Sequence, residues 1–286
     1  MKVYPDQAPK ARVEGPLLIG ARPLGSASLR SGRRAAFGML LVVFITTFAL
    51  AQGATDSRRS GYQDMGEALQ KMQDDDTANP GMLFVQLGEQ LFGQPAGAAN
   101  KSCADCHGAG SMKGVAARYP AIAKDTNEPV DLEGRINLCR SANQQAETLA
   151  PESRELLSLE AYVAFQSRGQ PIAPPSDPRL APFRAQGAEI YRRRQGQLNL
   201  SCAICHDDNA GKKLAGVTIP QAHPTGYPIY RLEWQALGSL KRRLRNCLIG
   251  LRAEAYAYDA PEYVALELYL MDRAKGMALE APGVRP

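Results

Sequence analysis

The chain has 286 residues, 44% of them hydrophobic, enough to bury one or two cores. Its 34 Lys and Arg exceed its 29 Asp and Glu, but the first 51 residues hold seven of the basic and two of the acidic residues, which leaves 27 of each. The remainder is formally neutral, which excludes a global electrostatic case for nucleic-acid binding.

Those first 51 residues read as a leader. Arg30, Arg33 and Arg34 precede an apolar run, Ala35 to Leu50, that closes on Ala49-Leu50-Ala51. This is the pattern of a secretory signal peptide with an A-x-A cleavage site, so the mature chain is expected to begin at Gln52 and to be periplasmic. The run is short for a membrane span and contains Gly38, Thr46 and Thr47, so no membrane anchor is expected after cleavage. Arg33 and Arg34 read as ordinary leader charge rather than a twin-arginine signal, and the stretch before Arg30 carries no fold signal.

Asp74-Asp75-Asp76 reads as a solvated turn, and Asn79-Pro80 as the cap and first residue of a helix running to Phe92. A loop S-C-A-D-C-H follows, Ser102 to His107. Then come Tyr119-Pro120, Arg135, Cys139 and an apolar helix from Glu160 to Gln166. Gly169 to Pro182 carries prolines at 171, 174, 175, 178 and 182 and reads as an ordered linker.

Beyond the linker the order repeats. Gly187 to Tyr191 matches Gly88 to Phe92, and S-C-A-I-C-H, Ser201 to His206, matches the first loop, both 99 residues on. Tyr227-Pro228, Arg243 and Cys247 match Tyr119-Pro120, Arg135 and Cys139, now 108 residues on. The nine added residues lie in a stretch that includes His223. A closing helix, Glu262 to Leu270, echoes Glu160 to Gln166, with Tyr263, Leu266 and Leu270 at helical spacing. No strand-rich region appears. The expected fold is mainly α, with two tandem cytochrome c-like haem domains related by internal duplication. Residues 52–170 form the first domain, 171–182 the linker and 183–286 the second.

The chemistry lies in the two C-x-x-C-H loops. Two thiols one turn apart can each form a thioether to a porphyrin edge while the adjoining imidazole meets the iron. Cys103, Cys106 and His107 are expected to hold one haem c, and Cys202, Cys205 and His206 a second. A zinc site of Cys103, Cys106, His107 and Cys139 is an alternative from residue types alone, but a histidine directly after the second cysteine suits haem better. A disulfide framework leaves both histidines unexplained.

Each iron has a second axial position, usually filled by methionine or histidine. Met112 is only five residues past His107, no methionine lies between His206 and Met271, and His223 has no first-repeat counterpart. Cys139 and Cys247, the soft ligands at equivalent positions, are the expected axial ligands. A disulfide between them and two buried thiols are the alternatives. Cys247 follows Lys241, Arg242, Arg243 and Arg245, a run that can gather a small dianion, with Arg243 one helical turn before the sulfur.

These residues resemble the SoxA family, the dihaem subunits of the thiosulfate-oxidising SoxAX cytochromes. The resemblance runs from about Asn79 onward and covers both haem loops, the R-x-x-x-C before Cys139 and Cys247, and the long stretch from Arg243 to Leu270. It implies L-cysteine S-thiosulfotransferase activity, in which thiosulfate is joined oxidatively to a cysteine of the SoxYZ carrier and two electrons pass to cytochrome c. It also implies a heterodimer with the small cytochrome SoxX, a persulfide sulfur on Cys247 and a substrate-facing Arg243. The rival expectation is a dihaem electron carrier or peroxidase without sulfur chemistry.

Overall fold

The computed structural model describes residues 56–108 and 110–286, so the expected leader, its cleavage site and Gln52 lie outside the described residues. Among the described residues no helix is long and apolar enough to cross a membrane.

The first half begins with α1 (Glu67–Asp74) and α2 (Met82–Gly93). Helix α2 starts two residues later than Asn79-Pro80 suggests, because Asn79 Oδ1 accepts the Gly81 N–H at 2.9 Å while its Nδ2 donates to the Pro282 carbonyl at 3.0 Å. Asn79 thus fastens the C-terminal segment as well as the turn. Asp76 is ion-paired to Arg168 at 2.7 Å rather than merely solvated.

After the first loop come a 3-10 turn at Ala116–Arg118, the short strands β1 (Ala121–Ile122) and β2 (Pro129–Val130), α3 (Leu132–Cys139), a π-helical segment (Arg140–Gln144) and α4 (Arg154–Phe165). Asp131 caps α3 by accepting the Gly134 N–H at 2.8 Å. Pro178 opens a 3-10 turn to Leu180, and α5 (Ala181–Arg192) follows at once, so Pro182 belongs to a helix rather than to the linker.

The second half continues with α6 (Cys202–His206), the hairpin β3 (Lys213–Leu214) and β4 (Val217–Thr218), then β5 (Ile229–Arg231) and β6 (Ala236–Gly238). It closes with α7 (Leu240–Gly250), α8 (Pro261–Arg273) and β7 (Gly283–Arg285). Strand β5 pairs antiparallel with β6 and parallel with β7, a three-stranded sheet that the sequence did not signal. Strands of two or three residues are too short to show alternation.

The duplication holds at atomic detail. Helix α2 packs on α4 through Gly88, where a Cβ would stand 1.9 Å from the Ser158 carbonyl oxygen; α5 packs on α8 through Gly187, where a Cβ would stand 2.1 Å from that of Ala265. Ser158 and Ala265 are 107 residues apart, so Glu160 matches Glu267, and the expected match of Glu160 to Glu262 is out of register. The change of offset from 108 to 107 traces to the π segment. It adds one residue to the first half just after Cys139, where α7 runs on as regular helix.

The halves share a core. Leu159, Val163 and Ile172 pack in one cluster with Met271, Ala274, Leu279 and Ala281. Pro171 bridges Ala278, and the Gly169 N–H donates to the Leu279 carbonyl at 2.8 Å, which orders the proline-rich segment. A cavity of about 30 Å³ between the halves is lined by repeat-related pairs, among them Tyr119 and Tyr227, Leu132 and Leu240, and Glu160 and Glu267.

Candidate functional site

Each C-x-x-C-H loop is shaped by the serine before it. Ser102 Oγ accepts the Asp105 N–H at 3.1 Å, and Ser201 Oγ accepts the Ile204 N–H at 3.3 Å, so both loops begin as a capped helical turn. The turn places the first cysteine and the histidine together: the His107 N–H reaches the Cys103 carbonyl at 2.9 Å. His206 Nδ1 lies 2.7 Å from the Pro220 carbonyl, an acceptor, so Nδ1 carries the proton and Nε2 keeps its lone pair for a metal.

None of the six cysteines is joined to another in a disulfide. Burial pushes the Cys103 thiol up, and the next contribution is the Cys139 sulfur; burial pushes Cys202 up to about 11, with Cys247 in the same second place. Each half therefore brings a loop cysteine and the expected axial cysteine into one electrostatic neighbourhood. Among the described residues, no group of three or more His, Cys, Asp or Glu side chains converges as a zinc cage would. A capped C-x-x-C-H turn, a singly protonated histidine and a second sulfur fit haem c.

Met112 and Met271 are core residues, 8% and 6% exposed, within the same apolar cluster. His223 Nδ1 meets the Arg59 carbonyl at 2.8 Å, which fastens residues near the start of the described chain, and its ring lines a cavity together with His206.

The basic run before Cys247 is mostly committed to structure, which corrects the expectation of a four-charge anion trap. Ser239 caps α7 by accepting the Arg242 N–H at 3.1 Å. Lys241 is buried, 2.5 Å from Asp131 Oδ2 and 3.1 Å from Glu133 Oε2 across the interface of the halves. Arg242 stacks 4.2 Å over Trp234, and Arg245 donates to the Tyr256 carbonyl and stacks on Tyr258.

Arg243 differs. Among the described residues its guanidinium has no ion pair and no hydrogen bond, although it is largely enclosed. Burial opposes its charge, yet Cys247 ahead of Tyr227 and Glu233 turns the net shift upward. Its repeat partner Arg135 is ion-paired to Asp125 at 3.2 Å. The second half thus sets a bare guanidinium one turn from a thiol, where the first sets a neutralised one. Asp125, which pairs with Arg135, and Glu233, Arg231 and Trp234, which surround Arg243 and its neighbour Arg242, are the neighbours that sequence reasoning missed, although carrying the 108-residue repeat through positions 123 to 126 would have exposed them.

Comparison with known proteins agrees with this geometry. A SoxA/TsdA cytochrome c domain model matches the chain twice, over residues 87–172 and 186–279. The L-cysteine S-thiosulfotransferase subunit SoxA of Pseudaminobacter salicylatoxidans is 36% identical over 248 residues, 85% of this chain and 87% of that protein. The subunit of the same name from Rhodovulum sulfidophilum is 34% identical over 80% of this chain and 81% of its own length. The crystal structure of SoxXA from P. pantotrophus superposes with a TM-score of 0.77 at 32% identity, covering 80% of this chain and 87% of that one. With both halves matched and both haem loops in place, the chain belongs to the SoxA/TsdA cytochrome c family.

Proposed function

We propose that the chain is a dihaem L-cysteine S-thiosulfotransferase of the SoxA kind, with Cys247 and Arg243 as its reacting pair. The observation that carries this reading is the bare Arg243 guanidinium one turn from the Cys247 thiol, beside the Cys202 to His206 loop. Cys103, Cys106, Cys202 and Cys205 would hold two haems c through thioethers, with His107 and Cys139 and His206 and Cys247 as their iron ligands, and the haems would supply one-electron acceptors.

The reaction couples a carrier thiol to the outer sulfur of thiosulfate: RSH and S₂O₃²⁻ give R–S–S–SO₃⁻, one proton and two electrons. The chain's own residues meet its electrostatic demand. Arg243 faces the dianion and needs no rearrangement to do so, because no carboxylate has to be displaced first. The persulfide sulfur that the family resemblance implies on Cys247 is the handle: thiosulfate joins it with loss of two electrons, Cys–S–S⁻ and S₂O₃²⁻ giving Cys–S–S–S–SO₃⁻, and the carrier thiolate then displaces the handle, giving R–S–S–SO₃⁻ and restoring Cys–S–S⁻. The two-electron change is delivered to an external cytochrome c.

The partners that fit are a small SoxX-type cytochrome, as in the SoxXA crystal structure, and a SoxYZ-type carrier. Covalent haem attachment and the leader pattern support export to the periplasm. Thiosulfate-dependent cytochrome c reduction, measured with both partners present, tests the reading. A Cys247→Ala protein with both haems attached is expected to lose it, and near-normal turnover would leave only the electron-carrier reading.

A further inference from the structure

We infer that Arg231 is a positioning residue: it holds the Glu233 carboxylate away from Arg243 and so keeps that guanidinium free for thiosulfate. This assignment rests on the reading of Arg243 as the anion-facing group.

The repeat makes the comparison. At an offset of 108, Arg243 corresponds to Arg135 and Glu233 to Asp125, so each half has the same arginine and an acidic residue at the same place. In the first half they meet, Arg135 Nη1 to Asp125 Oδ2 at 3.2 Å. In the second they do not. Glu233 Oε1 lies instead 3.2 Å from Arg231 Nε, an ion contact without the alignment of a hydrogen bond.

The residue that redirects the acid has no counterpart. Position 231 corresponds to Ala123, a buried alanine with no charge to offer Asp125. Trp234 corresponds to Thr126, and its ring lies 5.2 Å from the Arg231 guanidinium and 4.2 Å from that of Arg242. Strand β5 fixes the Arg231 backbone between Ala236 of β6 and Arg285 of β7. The side chain is 12% exposed, whereas that of Glu233 is 51% exposed and able to turn once released. Arg231 and Trp234 together therefore convert a neutral arginine–acid pair into a bare cation beside Cys247. Like-charge repulsion between Arg231 and Arg243 is relieved by Glu233 on one side and by a bound dianion on the other.

The test is a double-mutant cycle on the haem-loaded protein with its cytochrome partner and carrier, reading the thiosulfate KM and kcat, with direct thiosulfate binding measured by calorimetry. Arg231→Ala restores the first-half arrangement and is expected to raise the KM and the Kd about tenfold, the scale of one lost charge-assisted contact, with kcat little changed. Glu233→Gln alone is expected to stay near wild type. The double variant is expected to return to wild-type affinity, because no carboxylate is left to neutralise Arg243. Arg231→Lys, which keeps the ion contact, should keep the low KM and guards against a folding defect in the alanine variant.

Wild-type affinity in Arg231→Ala, or a double variant as weak as the single, overturns the role of Arg231. Unchanged affinity in Arg243→Ala would instead remove the anion-facing role of Arg243, so the two failures are told apart.

Discussion

At the scale of single residues, the two halves differ in what their paired arginines touch. If Arg243 is the anion-facing group proposed above, Arg243→Ala is expected to reduce kcat/KM for thiosulfate by the equivalent of about 2 to 4 kcal/mol, since it removes a preorganised charge. Arg135→Ala should change it little, because that partly exposed cation is already paired with Asp125. Cys139→Ala should alter the spectrum of the first haem and leave substantial turnover. His223→Ala should keep both haems and cost about 1 kcal/mol in thermal unfolding, the worth of one hydrogen bond to the Arg59 carbonyl. The two haem loops stood out in the sequence because two cysteines and an adjoining histidine recur at the same spacing in both halves. Asp125 and Glu233 did not, since the function of an exposed acid depends on which neighbour it chooses.

At the scale of elements, the π segment Arg140–Gln144 decides how the repeats align. The spacing of 108 holds from Tyr119 to Cys139 and falls to 107 beyond it, so the positive-φ residue Gln145 matches Arg252, at φ 52 and 54. The sequence showed that both halves close on an apolar helix but not which residues of the two helices match, because apolar spacing alone is compatible with several registers. Helix contact supplies the correct register. Gly88→Ala and Gly187→Ala both thrust a methyl into the facing backbone, and each is expected to destabilise its helix pair by about 1 to 3 kcal/mol. Thermal unfolding followed by helical circular dichroism reads both, and the equality of the two losses checks the equivalence of the pairs.

At the scale of the whole molecule, the interface between the halves is unusually acidic for an interior. Burial pushes Glu133 up to about 7, against the pull of Lys241, and raises Glu160 and Glu267 well above the ordinary carboxylate range. A carboxyl whose folded value is raised penalises the native state only when ionised. The penalty for Glu133 is therefore absent below about pH 4.5, grows between there and pH 7, and is complete above. Lys241→Met leaves Asp131 and Glu133 without their cation and is expected to cost about 3 to 5 kcal/mol at pH 8. At pH 5 the loss should be smaller, because Glu133 takes a proton there. Denaturant unfolding at the two pH values measures the difference. None of this was visible beforehand, since Lys241 reads as part of a basic helix until the opposite half is in place.

The contact between Glu133 and Lys241 also bears on ancestry. The two positions are related by the 108-residue repeat, and they meet each other at 3.1 Å. Two identical copies of one half, joined through this face, would set glutamate against glutamate or lysine against lysine. Opposite charges at these two positions therefore require that the two copies have diverged from one another at this face. Either half produced alone should accordingly show no tendency to pair with itself through this face.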